Sequence, residues 1–179
     1  MTPIDRRMSI AALNALDDEG FVAALAPVFE GPPWLPRANL LNPGVPSANT
    51  VETMYECLCA AMYDAPQEWQ VTLIRAHPDL VGRAALAGAL SVESTGEQAA
   101  AGLDCLSPDE IATFTHLNAA YTGRFGFPFV ICARENRKES ILAGFATRLH
   151  NTRDEEIDTA LGEIAKIAYF RLRDRFRDE

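Results

Sequence analysis

The chain is short of histidine, with 3 in 179 residues, and of cysteine, with 4. It has almost none of the apolar–polar alternation that marks a half-buried strand. It also lacks a surplus of base: 16 Lys and Arg stand against 25 Asp and Glu, giving a net charge of -9 and a pI near 4.8. Each shortage excludes something. Cys57 and Cys59 would point to different faces of a helix, no histidine lies near them in sequence, and no HExxH-like pair exists, so no metal site is expected. The four thiols, Cys57, Cys59, Cys105 and Cys132, are expected to be free and mostly buried. The acidic balance argues against nucleic acid or an anionic membrane as partner. A small anion needs only one or two local arginines and stays open. No apolar run approaches the roughly 18 residues of a membrane-crossing helix. Met1 to Arg7 lacks the apolar core of a secretory signal, and Arg177-Asp178-Glu179 is not a peroxisomal address, so the cytoplasm is the expected compartment.

What remains is an ordinary globular composition, 48% hydrophobic and 23% charged, with helical periodicity nearly throughout. The length suits one domain over residues 1–179. Ser9 caps a short helix through Leu16. Asp17 and Asp18 open a second, with Phe21, Val22, Leu25, Val28 and Phe29 on one face, and Pro27 predicts its kink or end. From Glu30 to Asn49 the density of proline and glycine predicts a long irregular loop anchored by Trp34. A helix from Thr50 to Tyr63 follows. Asp64 and Pro66 then start another, burying Trp69, Leu73 and Ile74 and ending where Pro78 disfavours helical geometry at His77. Arg83 to Leu90 is expected to be helical. Ser94-Thr95-Gly96-Glu97 and Ser107-Pro108-Asp109-Glu110 both fit the capping box, in which a side chain at each end satisfies a free N–H of the helix start. The second opens a long helix with Ile111, Phe114, Leu117 and Tyr121 inward, closed by Gly123 or Gly126. Phe127 to Ala133 is the one continuous apolar run with β-branched content. A lone strand cannot make a sheet, so it is expected as extended backbone between helices. Asn136 with Glu139, and Thr152 with Glu155, start the last two helices. The sum is an all-α chain of eight or nine helices.

Four places could carry chemistry, each with a plain structural alternative. His77 ends its helix, where the dipole favours a protonated ring by about 0.3–1 kcal/mol, a setting for acid–base work. The alternative is a helix cap. His116 and His150 sit on predicted helices and read as structural or exposed. Glu97, with Ser94 and the N–H groups of Gly96 to Gln98, could bind an anion or a urea-like oxygen at a helix start; otherwise it only caps. Phe129 to Ala133 is either core or a wall of main-chain donors and acceptors along a flat heterocycle. Arg171 lies on the face of Ile167 and needs a carboxylate or bound anion if buried.

Taken in order, the motifs resemble the 2-oxo-4-hydroxy-4-carboxy-5-ureidoimidazoline (OHCU) decarboxylase family. They are His77-Pro78-Asp79-Leu80-Val81-Gly82-Arg83, Ser94-Thr95-Gly96-Glu97-Gln98 and Leu117-Asn118-Ala119-Ala120-Tyr121. Phe125 to Ala133, Arg148-Leu149-His150-Asn151, Glu163 to Ala168 and Arg171-Leu172 follow, with Phe29-Glu30 and Pro33-Trp34 near the start. The likeness spans about residues 10 to 175. Gly31-Pro32 departs from the His-Ser of many relatives, at a pocket-edge loop. The resemblance implies decarboxylation of OHCU to (S)-allantoin in purine breakdown without metal or organic cofactor, and a homodimer. It also implies His77 as acid–base, Glu97 as its hydrogen-bonding assistant and Arg171 as the group that steadies a carboxylate or oxyanion. Pro78, Ser94, Thr95, Gly96, Glu97, Gln98, Phe129, Val130, Ile131, Cys132 and Ala133 would line the substrate pocket. Two readings remain beside it: the same fold acting on a related ureido-imidazoline or β-imino acid, and a helical partner-binding module.

Overall fold

The computed structural model describes residues 6–31, 33–41, 48–81 and 92–179. The predicted helix over 83–90 and the Pro43–Pro46 loop lie outside them. Among the described residues there are nine α-helices and one parallel pair of two-residue strands, so the chain is all-α. None of these helices is long and apolar enough to cross a membrane.

The chain divides into two compact units. The first comprises Met1–Pro66 with Ile167–Glu179. Here α1 (Ile10–Asn14) and α2 (Asp18–Leu25) begin where predicted: Ser9 Oγ accepts the Ala12 N–H and Asp17 Oδ1 the Gly20 N–H. Pro27 ends α2 as expected, the chain tightening into a 3-10 turn over Ala26–Val28. The predicted long loop is interrupted by α3 (Trp34–Leu40), which buries Leu35, Pro36 and Asn39. Its prolines sit where a helix tolerates them, Pro33 at the N-cap and Pro36 in the first turn, because the first N–H groups have no partner inside a helix. Trp34 is only half buried; Leu35 is the anchor. α4 (Val51–Asp64) is capped by Thr50 and buries Val51, Met54, Leu58, Cys59 and Met62. Its first N–H donates to Asp178 at 2.7 Å. The strands β1 (Met8–Ser9) and β2 (Phe176–Arg177) pair parallel, Met8 opposite Phe176. No alternation signalled them, since two residues are too few to show a period.

The second unit is Gln67–Lys166. It holds α5 (Gln67–Ala76), α6 (Val92–Ala100), α7 (Pro108–Phe125), α8 (Lys138–Arg148) and most of α9 (Arg153–Arg175). α5 buries Val71, Leu73 and Ile74, whereas Trp69, expected inside, is 47% exposed. α7 starts at the Ser107–Glu110 capping box and ends at Gly126, whose φ of +79° suits glycine. α8 starts one residue later than predicted: Arg137 is its N-cap, bonded to Ser140, while Asn136 donates to the Cys132 carbonyl. Thr152 and Glu155 cap α9 reciprocally. Its apolar stripe, Ile157, Leu161, Ile164, Ile167, Ala168 and Leu172, is buried within the chain and so offers no free face to a second copy. Phe127 to Cys132 forms neither helix nor strand and carries Phe129 into an aromatic cluster, its ring stacked 3.8 Å from Phe145 and edge-on to Tyr121.

Candidate active site

α5 stops at Ala76 and the chain turns through Pro78. The His77 ring folds back on its own helix: Nδ1 lies 3.0 Å from the Leu73 carbonyl oxygen. A carbonyl only accepts, so Nδ1 carries a hydrogen and donates. His77 therefore does cap one of the last carbonyls of α5, and chemistry, if any, runs through Nε2. The ring is 6% exposed. The turn is pinned from two helices. Gln98 Oε1 on α6 accepts the Val81 N–H at 3.2 Å, and Asn118 Nδ2 on α7 donates to the Leu80 carbonyl at 2.7 Å. Between them Val81 is held at φ +53°, a left-handed conformation that a β-branched residue rarely adopts.

α6 departs most from expectation. It begins at Val92, so Ser94 is already inside it and Glu97 lies in its second turn. The N–H groups of Gly96 to Gln98 fall beyond the first four residues, whose donors are the unpaired ones. They form no anion site at a helix start. The reason lies in the next residue. Pro108 follows Ser107 and forces it out of helical geometry, whereas nothing after Ser94 stops the helix from extending one turn back. Helical spacing then sorts the five residues. Ser94, Glu97 and Gln98, at i, i+3 and i+4, share a buried face, and Thr95 and Gly96 lie on the exposed side. A helix normally buries its apolar face; this one buries a serine, a glutamate and a glutamine. Glu97 pairs with Arg134 at 3.8 Å, just past the apolar run.

The run itself is held by charge. Arg148, at the end of α8, donates to the Val130 carbonyl at 2.7 Å and stacks over the Phe129 ring at 4.3 Å. Its guanidinium is neutralised by Glu156, at 2.9 Å, which is fully buried and also takes the Tyr121 hydroxyl and the Asn151 amide at 2.7 Å. Burial and the adjacent Glu156 carboxylate push the Tyr121 phenol well above its ordinary range, so it stays a donor. Cys132 donates its N–H to Glu163 at 2.7 Å and its carbonyl accepts from Asn136 at 2.9 Å. Burial pushes the Cys132 thiol up to about 11, so near neutral pH it is no nucleophile. All four cysteines are free, though Cys57 is half buried and Cys105 exposed. The expected wall of donors and acceptors is thus partly engaged from behind; Ile131, half buried, keeps a main-chain N–H and C=O with no hydrogen bond among the described residues.

Arg171 belongs to the first unit. It is 3% exposed and pairs there with Glu30 at 3.2 Å, its other terminal nitrogen 3.4 Å from the Pro27 carbonyl. The partner that burial demanded is the glutamate of the Phe29-Glu30 motif. Among the described residues no group of three His, Cys, Asp or Glu side chains could hold a metal ion.

Residues 14–173 match the family model described as OHCU decarboxylase. The chain belongs to the OHCU decarboxylase family. It is 37% identical to the 2-oxo-4-hydroxy-4-carboxy-5-ureidoimidazoline decarboxylase of Haloferax volcanii, across 96% of this chain and 98% of that one. It is 42% identical to that of Amia calva, across 93% and 94%. Among solved structures, (S)-allantoin synthase superposes with a TM-score of 0.76 at 23% identity, over 94% of this chain and 54% of the other. OHCU decarboxylase crystallised in the presence of (S)-allantoin gives a TM-score of 0.67 at 18% identity, over 88% and 96%. At those identities the two structures speak for the fold.

The sequence alone assigned no role to Asn118, Arg148 or Glu163 within the family motifs, nor to Glu156 between them. Asn118 and Arg148 stand in motifs recognised as family-like, and their polarity on otherwise buried helix faces was the available signal. Glu156 carried none, since it sits in a first turn where acids are ordinary.

Proposed function

We propose that this chain is a carboxy-lyase that converts OHCU to (S)-allantoin in urate breakdown. The observation that carries the reading is the family match over residues 14–173, with relatives of that name aligned along nearly the whole chain. The match runs through both compact units, which supports treating residues 1–179 as one functional domain.

The substrate bears its carboxylate on a ring carbon next to a C=N bond. When the bond to carbon dioxide breaks, its electron pair moves into the ring and the C=N nitrogen takes the charge, then a proton from solvent to become N–H. An enol results; the 4-hydroxyl loses its proton to become a ketone, and the neighbouring ring carbon gains one. Protonation from a single face fixes the product's hand. In this reading His77 Nε2 moves the proton, Nδ1 being committed to the Leu73 carbonyl. Glu97, on the buried polar face of α6, hydrogen-bonds the substrate and assists. Arg171 steadies a carboxylate or oxyanion, a role taken from the family resemblance. Pro78, Ser94 to Gln98 and Phe129 to Ala133 provide the walls. The chemistry draws on no metal or organic cofactor, because the substrate contains its own electron sink. A homodimer in the cytoplasm is the proposed setting; the resemblance suggests the dimer, and light scattering decides the oligomer.

The test generates OHCU from urate and follows the circular dichroism of allantoin. Wild type is expected to produce the (S) form faster than the spontaneous reaction. His77→Ala is expected to lower the rate at least about 10³-fold with far-UV dichroism unchanged. Racemic product at the spontaneous rate in the presence of folded wild type rejects the function; an active His77→Ala rejects only the role of that ring.

A further inference from the structure

The groups that hold Val130 and Cys132 also determine where Ile131 points. In a trans peptide the N–H and C=O lie on opposite sides of the bond, and none of the peptide bonds among the described residues is cis. The Val130 carbonyl points at Arg148, so the Ile131 N–H points away from Arg148. The Cys132 N–H points at Glu163, so the Ile131 carbonyl points away from Glu163. Arg148 is itself seated on Glu156. Glu156 and Glu163 are seven apart on α9, two helical turns, and so share a face. One face of one helix therefore engages both groups that flank Ile131.

We propose that Glu163 is a positioning residue: with Arg148 on Val130, it fixes Cys132 so that the Ile131 N–H and C=O are presented together to the substrate. This rests on the reading of Phe129 to Ala133 as a substrate wall. A residue that offers N–H and C=O side by side is what an antiparallel strand offers its partner. The small-molecule complement is a cyclic ureide, whose ring N–H and adjacent C=O form the matching acceptor–donor edge. The 2-oxo-imidazoline ring has that edge. Glu163 is itself held by Lys166 at 2.7 Å, and Lys166 also reaches Glu135 at 3.6 Å, just past the run. Glu163 touches no reacting atom in this scheme; it acts through the backbone of Cys132.

Two measurements on the full chain decide it. In amide hydrogen exchange followed by NMR, Cys132 exchanges at least about tenfold more slowly than Ile131, and added (S)-allantoin slows Ile131 selectively. In kinetics with OHCU, Glu163→Ala raises KM about tenfold with kcat changed less, and Glu163→Gln, which keeps an acceptor for the Cys132 N–H, returns KM to within about threefold of wild type. Equal exchange at Ile131 and Cys132, or a Glu163→Ala KM within about twofold of wild type, overturns the proposal. If Glu163→Ala does not fold, the exchange contrast in wild type decides alone. A wild type that leaves OHCU untouched rejects the function instead, and exchange in the free protein still reports on the clamp.

Discussion

Two segments of this chain carry the same Ser-x-x-Glu pattern, Ser94 to Glu97 and Ser107 to Glu110. At the second, the Ser107 hydroxyl accepts the Glu110 N–H at 3.3 Å and Glu110 accepts the Ser107 N–H at 2.8 Å, on an exposed helix start. At the first, the serine and glutamate are buried inside a helix. The local pattern is identical; Pro108 and the acids after it make one a cap, and its absence frees the other. The lesson concerns carboxylates. Glu110 stabilises a helix end and is fully occupied by Ser107 and Lys138. Glu97 lies inside its helix and is buried beside Arg134, and burying a carboxylate costs free energy that such pairing must offset.

Exchanging each carboxylate for its amide tests that contrast most severely. Glu97→Gln is expected to lower kcat/KM by about 10²-fold or more while Tm moves by only a few degrees. Glu110→Gln should leave kcat/KM within about twofold of wild type. If both variants behave alike, the distinction fails. Ser107→Ala comes next, with a loss of about 1 kcal/mol in denaturant unfolding from the missing cap. Gly96→Ala should shift stability by a similar amount in the opposite direction. Gly96 is an exposed glycine within a helix, and a Cβ there meets no atom within 4 Å among the described residues. A rise in KM alongside that gain would mean that the substrate approaches Gly96; an unchanged KM would remove it from the wall. The smallest effect is in pH. The Lys138 ammonium, at 2.5 Å, and the Ser107 N–H hold the Glu110 carboxyl below its ordinary value of 4.5. Its folded-state pKa is depressed, so its contribution is complete above the unfolded value and is lost as pH falls through the folded one. The stability gap between wild type and Glu110→Gln should be flat near neutrality and close as pH falls below the ordinary value of 4.5 and through the depressed one. A gap that persists in stronger acid would assign the effect to packing.

Much of the fold was legible because its signals are local. Ser9, Asp17, Thr50, Ser107 and Thr152 each begin a helix through contacts within three residues, and Pro27 and Pro78 each end one. Where tertiary context decides, legibility stopped. α3 runs through a proline-rich stretch because its prolines fall where helices lack N–H partners. Trp69 stays outside because α5 is oriented by Val71, Leu73 and Ile74, and Asn136 is diverted from its capping role by the Cys132 carbonyl. For the candidate site, the sequence nominates residues but does not show the way they are held. That His77 uses Nδ1 on its own helix, that Gln98 and Asn118 pin the turn after it, and that Arg171 pairs with Glu30 across most of the chain's length are contacts no short-range pattern encodes.

The backbone at Val81 has a consequence for protein engineering. A β-branched residue at φ +53° is strained, and Gln98 and Asn118 hold it and its neighbour in place. Selection for heat resistance alone would favour glycine there, since glycine adopts that conformation freely. The same change would loosen the turn that follows His77, the proposed acid–base residue. Position 81 is therefore where evolving this chain for durability and evolving it for turnover should part company.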